Sequence, residues 1–233
     1  AVLSFMLSFA ACGQVALSQN EIESSRSSKR RPTVALALGG GGMRGAAHIG
    51  VLRVLEEEKI PIDYIVGTSM GALVGGLYCA GMSPDQIEKN FQNRKIQHAF
   101  VPRAIFLQVL LQPLFKIVHI ITKHPPAGLF DGKHVERFFI KHLPEDKNDF
   151  AALRIPFAAV VTDLRRGTTV AINKGSLGRA VRASCSLPIF MRPVLMNDTL
   201  YIDGGIRGST PVKEALRTKA DIVIGVQVID YDL

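Results

Sequence analysis

Ser69 lies in Ile62-Asp63-Tyr64-Ile65-Val66-Gly67-Thr68-Ser69-Met70-Gly71-Ala72-Leu73, where a β-branched apolar run passes into a helix-forming one. A serine held between two glycines at such a junction has the form of a nucleophile elbow: the sharp turn puts Oγ at the tip of the strand, and Gly67 and Gly71 leave room for backbone and substrate. The chemistry would be acyl transfer. GxSxG arises by chance in about one chain of this length in ten, so its meaning depends on what surrounds it. A second glycine cluster, Gly39-Gly40-Gly41-Gly42-Met43-Arg44-Gly45, also follows an apolar run and opens a helix-forming one. Such a backbone can aim N–H groups at an anion, with help from the helix dipole.

The anion could be a phosphate or an oxyanion. Gly40, Gly42 and Gly45 fit the spacing GxGxxG of dinucleotide-binding loops. That fingerprint expects a carboxylate at the end of the second strand, and here the second strand ends at Gly67-Thr68-Ser69, with Asp63 at its start. A strand, a helix over residues 44–58 and a second strand form a βαβ unit, whose right-handed crossover brings both carboxyl ends to one sheet edge. Ser69 and the glycine loop would then share a crevice. The amides of Gly41 and Gly42, with Gly40 beside them, become the candidate oxyanion hole.

A serine hydroxyl needs a base. All six histidines, His48, His98, His119, His124, His134 and His142, precede residue 143, whereas an α/β-hydrolase places its histidine after the acid. The late part of the chain offers Leu200-Tyr201-Ile202-Asp203-Gly204-Gly205, an acid at the end of an apolar run. Asp203 could act as the base directly; the structural alternative is a turn aspartate capping the loop before Pro211.

Taken together, the loop Gly40-Gly41-Gly42-Met43-Arg44-Gly45, the elbow Gly67-Thr68-Ser69-Met70-Gly71 and the triplet Asp203-Gly204-Gly205 resemble, in order and spacing, the patatin-like phospholipases, the small bacterial members most of all. The resemblance extends through Thr162-Asp163-Leu164-Arg165-Arg166-Gly167 and Arg182-Ala183-Ser184-Cys185-Ser186-Leu187-Pro188, and so covers residues 32–230. It implies a three-layer α/β/α domain with a mainly parallel central sheet, and a calcium-independent lipid acyl hydrolase working through a Ser69–Asp203 dyad without cofactor or metal. Gly45, Gly67, Gly71, Gly204 and Gly205 would support the site, and Arg44 would fix the loop or meet a lipid phosphate. After the DGG triplet many relatives carry asparagine before the proline, whereas this chain reads Ile206-Arg207-Gly208-Ser209-Thr210-Pro211. A catalytically weak lipid-binding protein on the same fold, and a nucleotide-binding enzyme using the glycine loop, are the competing readings.

The remaining chain sets the context. With 233 residues and 47% apolar content there is enough chain for one well-buried domain. The first twelve residues, ending in Ala10-Ala11-Cys12, are apolar but too short to span a bilayer. They resemble the h-region and lipobox of a bacterial lipoprotein signal, which predicts lipidation of Cys12, residues 1–31 as signal and polar tether, and a catalytic domain over 32–233. The expected location is the bacterial cell envelope, anchored and facing the periplasm; the alternative is a cytoplasmic protein bound peripherally to membrane. Cys79 and Cys185 have no disulfide-like or metal-like spacing and read as core thiols.

The net charge of +8 is uneven: Lys89, Arg94, Lys95, Arg103, Lys116 and Lys123 fall in a stretch without acids. Within it, residues 104–124 predict a mostly apolar helix with a narrow polar stripe, kinked at Pro113. Such a helix suits an anionic membrane surface or a lid over an acyl groove, or else is buried in the domain. The basic residues lie among aliphatic rather than stacking aromatic side chains, which argues against nucleic acid. Ser83-Pro84-Asp85-Gln86 reads as a capped helix start. Further strands are expected over 157–162, 168–172, 200–202 and 222–229, and helices over 133–143, 176–184 and 212–219.

Overall fold

A computed structural model describes residues 30–100, 128, 130–143 and 148–229. The expectations for Cys12, the N-terminal signal and the helix over 104–124 lie outside the described residues. The chain divides into two units, Ala1–Pro32 and Thr33–Leu233, and the second holds every element below.

β1 (Val34–Leu38) is buried along its whole length. It lies between two parallel neighbours, β2 (Tyr64–Thr68) and β7 (Ile222–Val226). That position explains its unbroken apolar sequence, since a strand covered on both faces has no solvent side to alternate with. Between β1 and β2 runs α1 (Ala47–Glu57), preceded by a 3₁₀ turn over Gly42–Ala46. The helix buries His48, Ile49, Leu52 and Leu55, a spacing of one, three and three that gives one inward stripe. β2 leads directly into α2 (Met70–Cys79), all ten of whose residues are buried. Its glycines let it lie close to its neighbours: a Cβ at Gly75 would come within 2.9 Å of Ile65 Cγ2, and one at Gly76 within 2.9 Å of Phe139 Cζ.

α3 (Pro84–Gln92) begins with the capping box read from the sequence: Ser83 Oγ accepts from Gln86 N, and Gln86 Oε1 accepts from Ser83 N. α4 (Lys95–Phe100) and α5 (Lys133–Lys141) follow. Then β3 (Phe157–Asp163), buried throughout, turns back through β4 (Thr168–Ile172). α6 (Leu177–Ser184) leads to the hairpin of β5 (Val194–Met196) and β6 (Thr199–Asp203), and α7 (Val212–Leu216) precedes β7.

The seven-stranded sheet has the order β5-β6-β3-β2-β1-β7, with β4 also on β3. Its centre, β3, β2, β1 and β7, is parallel; β4 and β6 run against β3. Strand alternation sorts the two faces. Leu36, Leu38, Ile65, Phe157 and Ala159 pack with α1, α2, α3, α5 and α6 in the main core, whereas Ala35, Ala37, Val66, Ala158 and Val160 meet Ala215 of α7. Two helical layers on a mixed sheet make a three-layer α/β/α domain. Each large side chain fully buried in the main core contributes about 1.5–3 kcal/mol.

Two late elements are shorter than the pattern predicts. β7 stops at Val226 because β1, its partner, stops at Leu38; beyond that point Val226 O takes the Gly39 amide at 3.0 Å and the glycine loop begins. α7 ends at Leu216, where Thr218 Oγ1 donates to Ala215 O at 2.7 Å and Lys219 takes a φ of 60°. α4 and β5 were not foreseen, both too short to show a period.

Candidate active site

β3 works as a ruler for this site. Along one edge it pairs first with β2, in parallel, up to Thr68 opposite Val160. The next residue, Val161, pairs with Asp203 at the end of antiparallel β6. β4 overlaps both stretches and therefore occupies the other edge. β2 and β6 thus point at each other end to end, and the residue that follows the first meets the residue that finishes the second.

Ser69 makes that turn with φ 53° and ψ −119°, a region from which side-chain sterics exclude most residues. Such a conformation costs on the order of 1–3 kcal/mol and persists only where the surroundings over-determine it. Here they do. Ser69 O accepts the amides of Ala72 and Leu73 at 2.9 and 3.1 Å, and the Cys185 thiol at 3.3 Å. Ser69 N donates to Ser184 Oγ at 2.9 Å, whose own hydroxyl donates to Val160 O at 2.6 Å. Ser184 therefore fills the gap where β2 and β6 both leave β3. The flanking glycines are obligatory: a Cβ at Gly67 would stand 2.5 Å from Gly71 O, and one at Gly71 would collide with the Leu38 carbonyl.

Asp203 is buried, and the nearby Ser69 side chain favours its ionised form. Asp203 Oδ1 accepts Gly205 N at 2.7 Å. Burial pushes the carboxyl up to about 6, against the pull of the Ser69 side chain and the Gly205 amide. Its backbone is fixed as well: Asp203 N donates to Ser186 O at 3.0 Å, and Thr162 Oγ1 to Asp203 O at 3.1 Å. Gly204 has no room for a side chain, because a Cβ would lie 2.5 Å from Val160 O. Asp203 thus caps its own turn and also faces the serine; the two readings of the sequence are compatible. Asp163, by contrast, turns the β3–β4 hairpin, taking the amides of Arg165 and Arg166 at 2.9 and 3.0 Å.

The glycine loop lies alongside, as the shared sheet edge predicts. A Cβ at Gly40 would stand 3.2 Å from Ser69 Cβ, so the loop passes directly beside the nucleophile. The Gly40 amide is already given to Ser209 O at 2.9 Å, which corrects its place among the candidate donors: it contributes space, not an N–H. Among the described residues the amides of Gly41 and Gly42 have no acceptor, and Gly42 adopts φ 56°. Gly45 is bare because a Cβ there would strike Met70, the residue after the nucleophile. Arg44 is exposed and makes no ion pair among the described residues. Asp63 lies at the opposite end of β2, where it accepts Val34 N at 2.8 Å, far from the glycines a dinucleotide would need it to complement.

Two residues of the site escaped the sequence reading. Ser184 is one. The other is His48, completely buried, whose Nε2 lies 2.7 Å from Gly39 O. A carbonyl only accepts, so Nε2 carries the proton; Nδ1 is buried without a partner among the described residues. Burial lowers the His48 pKa, and the hydrogen bond to Gly39 offsets only part of the effect. A neutral imidazole thus clamps the carbonyl of the peptide whose N–H is held by Ser209 O. The signal was the i, i+3 position of His48 after Gly45 at the start of a helix, which cannot be told from a core histidine by sequence.

Comparison with known proteins places this arrangement in a family. The model of the patatin-like phospholipase family matches residues 36–216. Patatin-like phospholipase domain-containing protein 6 of Mus musculus is 31% identical over 202 residues, 86% of this chain and 14% of its own length. An uncharacterized NTE family protein of Mycobacterium tuberculosis is 34% identical over 199 residues, 84% of this chain and 49% of its own. The chain therefore spans about a seventh of the one relative and half of the other. Among solved structures, VipD from Legionella pneumophila aligns with a TM-score of 0.45 at 15% identity, covering 77% of this chain and 47% of that one. With its family match running from within β1 to the end of α7, the chain belongs to the patatin-like phospholipases.

Proposed function

We propose that the chain is a calcium-independent serine acyl hydrolase that cleaves fatty-acyl esters of phospholipids or lysophospholipids at a membrane surface. The observation that carries this reading is the end-to-end meeting of β2 and β6 on β3, which brings Ser69 and the buried carboxylate of Asp203 to one place. With its pKa near 6, Asp203 is ionised at neutral pH and poised to take a proton. Ser69 Oγ attacks the ester carbonyl as Asp203 removes its hydrogen. Negative charge develops on the carbonyl oxygen and is met by the Gly41 and Gly42 amides, each such donor being worth roughly 10²–10³ in turnover. Collapse breaks the bond to the alkoxide leaving group, which takes the proton from Asp203. Water, deprotonated by the same carboxylate, then attacks the acyl-enzyme; as the acyl–oxygen bond breaks, Asp203 returns the proton to Ser69 Oγ and the fatty acid leaves.

Every group in this cycle belongs to the protein or to water. Replacing Ser69 with Ala should abolish release of p-nitrophenol from acyl esters and labelling by a fluorophosphonate; an unchanged rate sinks the assignment.

A further inference from the structure

Between α6 and β5 the chain makes a knuckle. Leu187 N donates to Cys185 O at 2.9 Å, and Met191 N returns to Leu187 O at 2.8 Å. The root of the knuckle is held on both sides. Ser186 O takes the Asp203 amide at 3.0 Å, while Phe130 N donates to Phe190 O at 2.9 Å and Arg192 N to Phe130 O at 2.8 Å. Met191 is buried at 4% exposure, but Leu187, Ile189 and Phe190 stand 44%, 77% and 54% exposed. Three apolar side chains project from a rigid base one residue beyond the contact to Asp203.

Ile189 is the anomaly. Its φ is 74°, in the left-handed region that glycine and asparagine occupy with least strain and a β-branched residue almost never does. Among the described residues its side chain is the most exposed large hydrophobic, so no burial offsets the strain. A residue strained in its backbone and left exposed by the described residues marks this position as a contact for something beyond them.

Size and charge indicate what that is. The three side chains expose on the order of 300 Å², well short of the roughly 800 Å² per partner that a stable protein interface needs. Ile206 and Met43, on the loops that carry Gly205 and Gly42, are also exposed at 51% and 40%. Beside these apolar positions lie Arg192, Arg207 and Arg44, exposed and without ion pairs among the described residues. Apolar tips with unneutralised cations at their roots fit an anionic lipid surface: the tips sink to the acyl boundary while guanidinium groups meet phosphates.

We propose that residues 187–190 are a bilayer-inserting tip that seats the mouth of the Ser69–Asp203 site on anionic lipid. This rests on the acyl hydrolase reading but is tested without turnover. The chain contains no tryptophan, so Phe190→Trp in the whole chain introduces a single local reporter. On addition of phosphatidylglycerol–phosphatidylcholine vesicles its emission should shift to the blue and be quenched by lipids brominated near the headgroup. The same substitution at Leu216, exposed on α7, should show neither effect. Adding Ile189→Gly to the Phe190→Trp chain should weaken the titration about tenfold, as expected for withdrawing one large aliphatic side chain from lipid. The melting temperature should hold or rise, because glycine relieves the strain. Unchanged emission while the protein co-sediments with vesicles overturns the proposal, as does absence of co-sedimentation. So does a blue shift that appears without vesicles and grows with protein concentration, which would make the tip a contact between copies. Loss of fluorophosphonate labelling with the blue shift intact would instead count against the hydrolase reading alone.

Discussion

The two strand ends that meet on the edge of β3 hold their catalytic side chains by different means. At the end of β2 the stress is geometric: Ser69 sits at φ 53°, and Gly40, Gly67 and Gly71 surround it because backbone passes where side chains would be. At the end of β6 the backbone of Asp203 is relaxed, with φ −50° and ψ 129°. There the stress is electrostatic, a carboxyl pushed up to about 6 by burial. A nucleophile must be exposed at a sharp angle, whereas a base must be tuned, and each half carries the kind of strain its task requires. The halves should therefore fail under different insults, the first under added volume and the second under a change of protonation.

Gly71→Ala puts a methyl group onto the Leu38 carbonyl and should cost more than about 4 kcal/mol, read as loss of the cooperative urea transition at neutral pH. Asp203→Asn adds almost no volume and should leave the fold intact while lowering kcat roughly 10³-fold. Its pH behaviour sharpens the contrast. In the wild type the folded pKa of Asp203 is raised from 3.8 to about 6, so the folded state binds the proton more tightly than the unfolded one. The stability this contributes is complete below 3.8 and is lost as pH rises through 6, by about 3 kcal/mol. Activity needs the ionised form and should climb through the same window, so rate and stability should cross in opposite directions. Both slopes should vanish in the asparagine variant; a surviving acid limb in the rate would assign it to another group.

Ser184→Ala tests the seam between the halves. It leaves Ser69 N and Val160 O without their partner and should destabilise by about 2 kcal/mol, in chemical denaturation at constant m-value. The smallest effect belongs to His48. His48→Leu should lower kcat about tenfold at unchanged KM, as expected if one hydrogen bond orients the peptide ahead of the oxyanion donors. His48→Gln, which can offer its own N–H to Gly39 O, should recover most of the loss.

What could be read from the sequence was whatever local chemistry dictates. The elbow, the glycine loop and the capping box at Ser83 each depend on residues a few positions apart, and all three occur where expected. The parallel pairing of β1 and β2 followed from the strand–helix–strand pattern that ends at Ser69. The parts that did not show were long-range. Ser184 matters because its hydroxyl reaches a carbonyl of β3 and an amide after β2, and a serine at a helix end announces neither. Gly40 looked like a donor until Ser209, far along the chain, claimed its amide. Ile189 carries an ordinary hydrophobic side chain, and only its φ reveals that the position is unusual.

The end-to-end meeting of β2 and β6 also bears on the order in which the protein is made. The nucleophile strand and its helix emerge from the ribosome before β6. A nascent or truncated chain ending anywhere before Asp203 can carry the serine but lacks its proton acceptor. On the acyl hydrolase reading, products that stop short of Asp203 are harmless to the lipids of the cell that makes them, and hydrolytic power arrives only once β6 has been made.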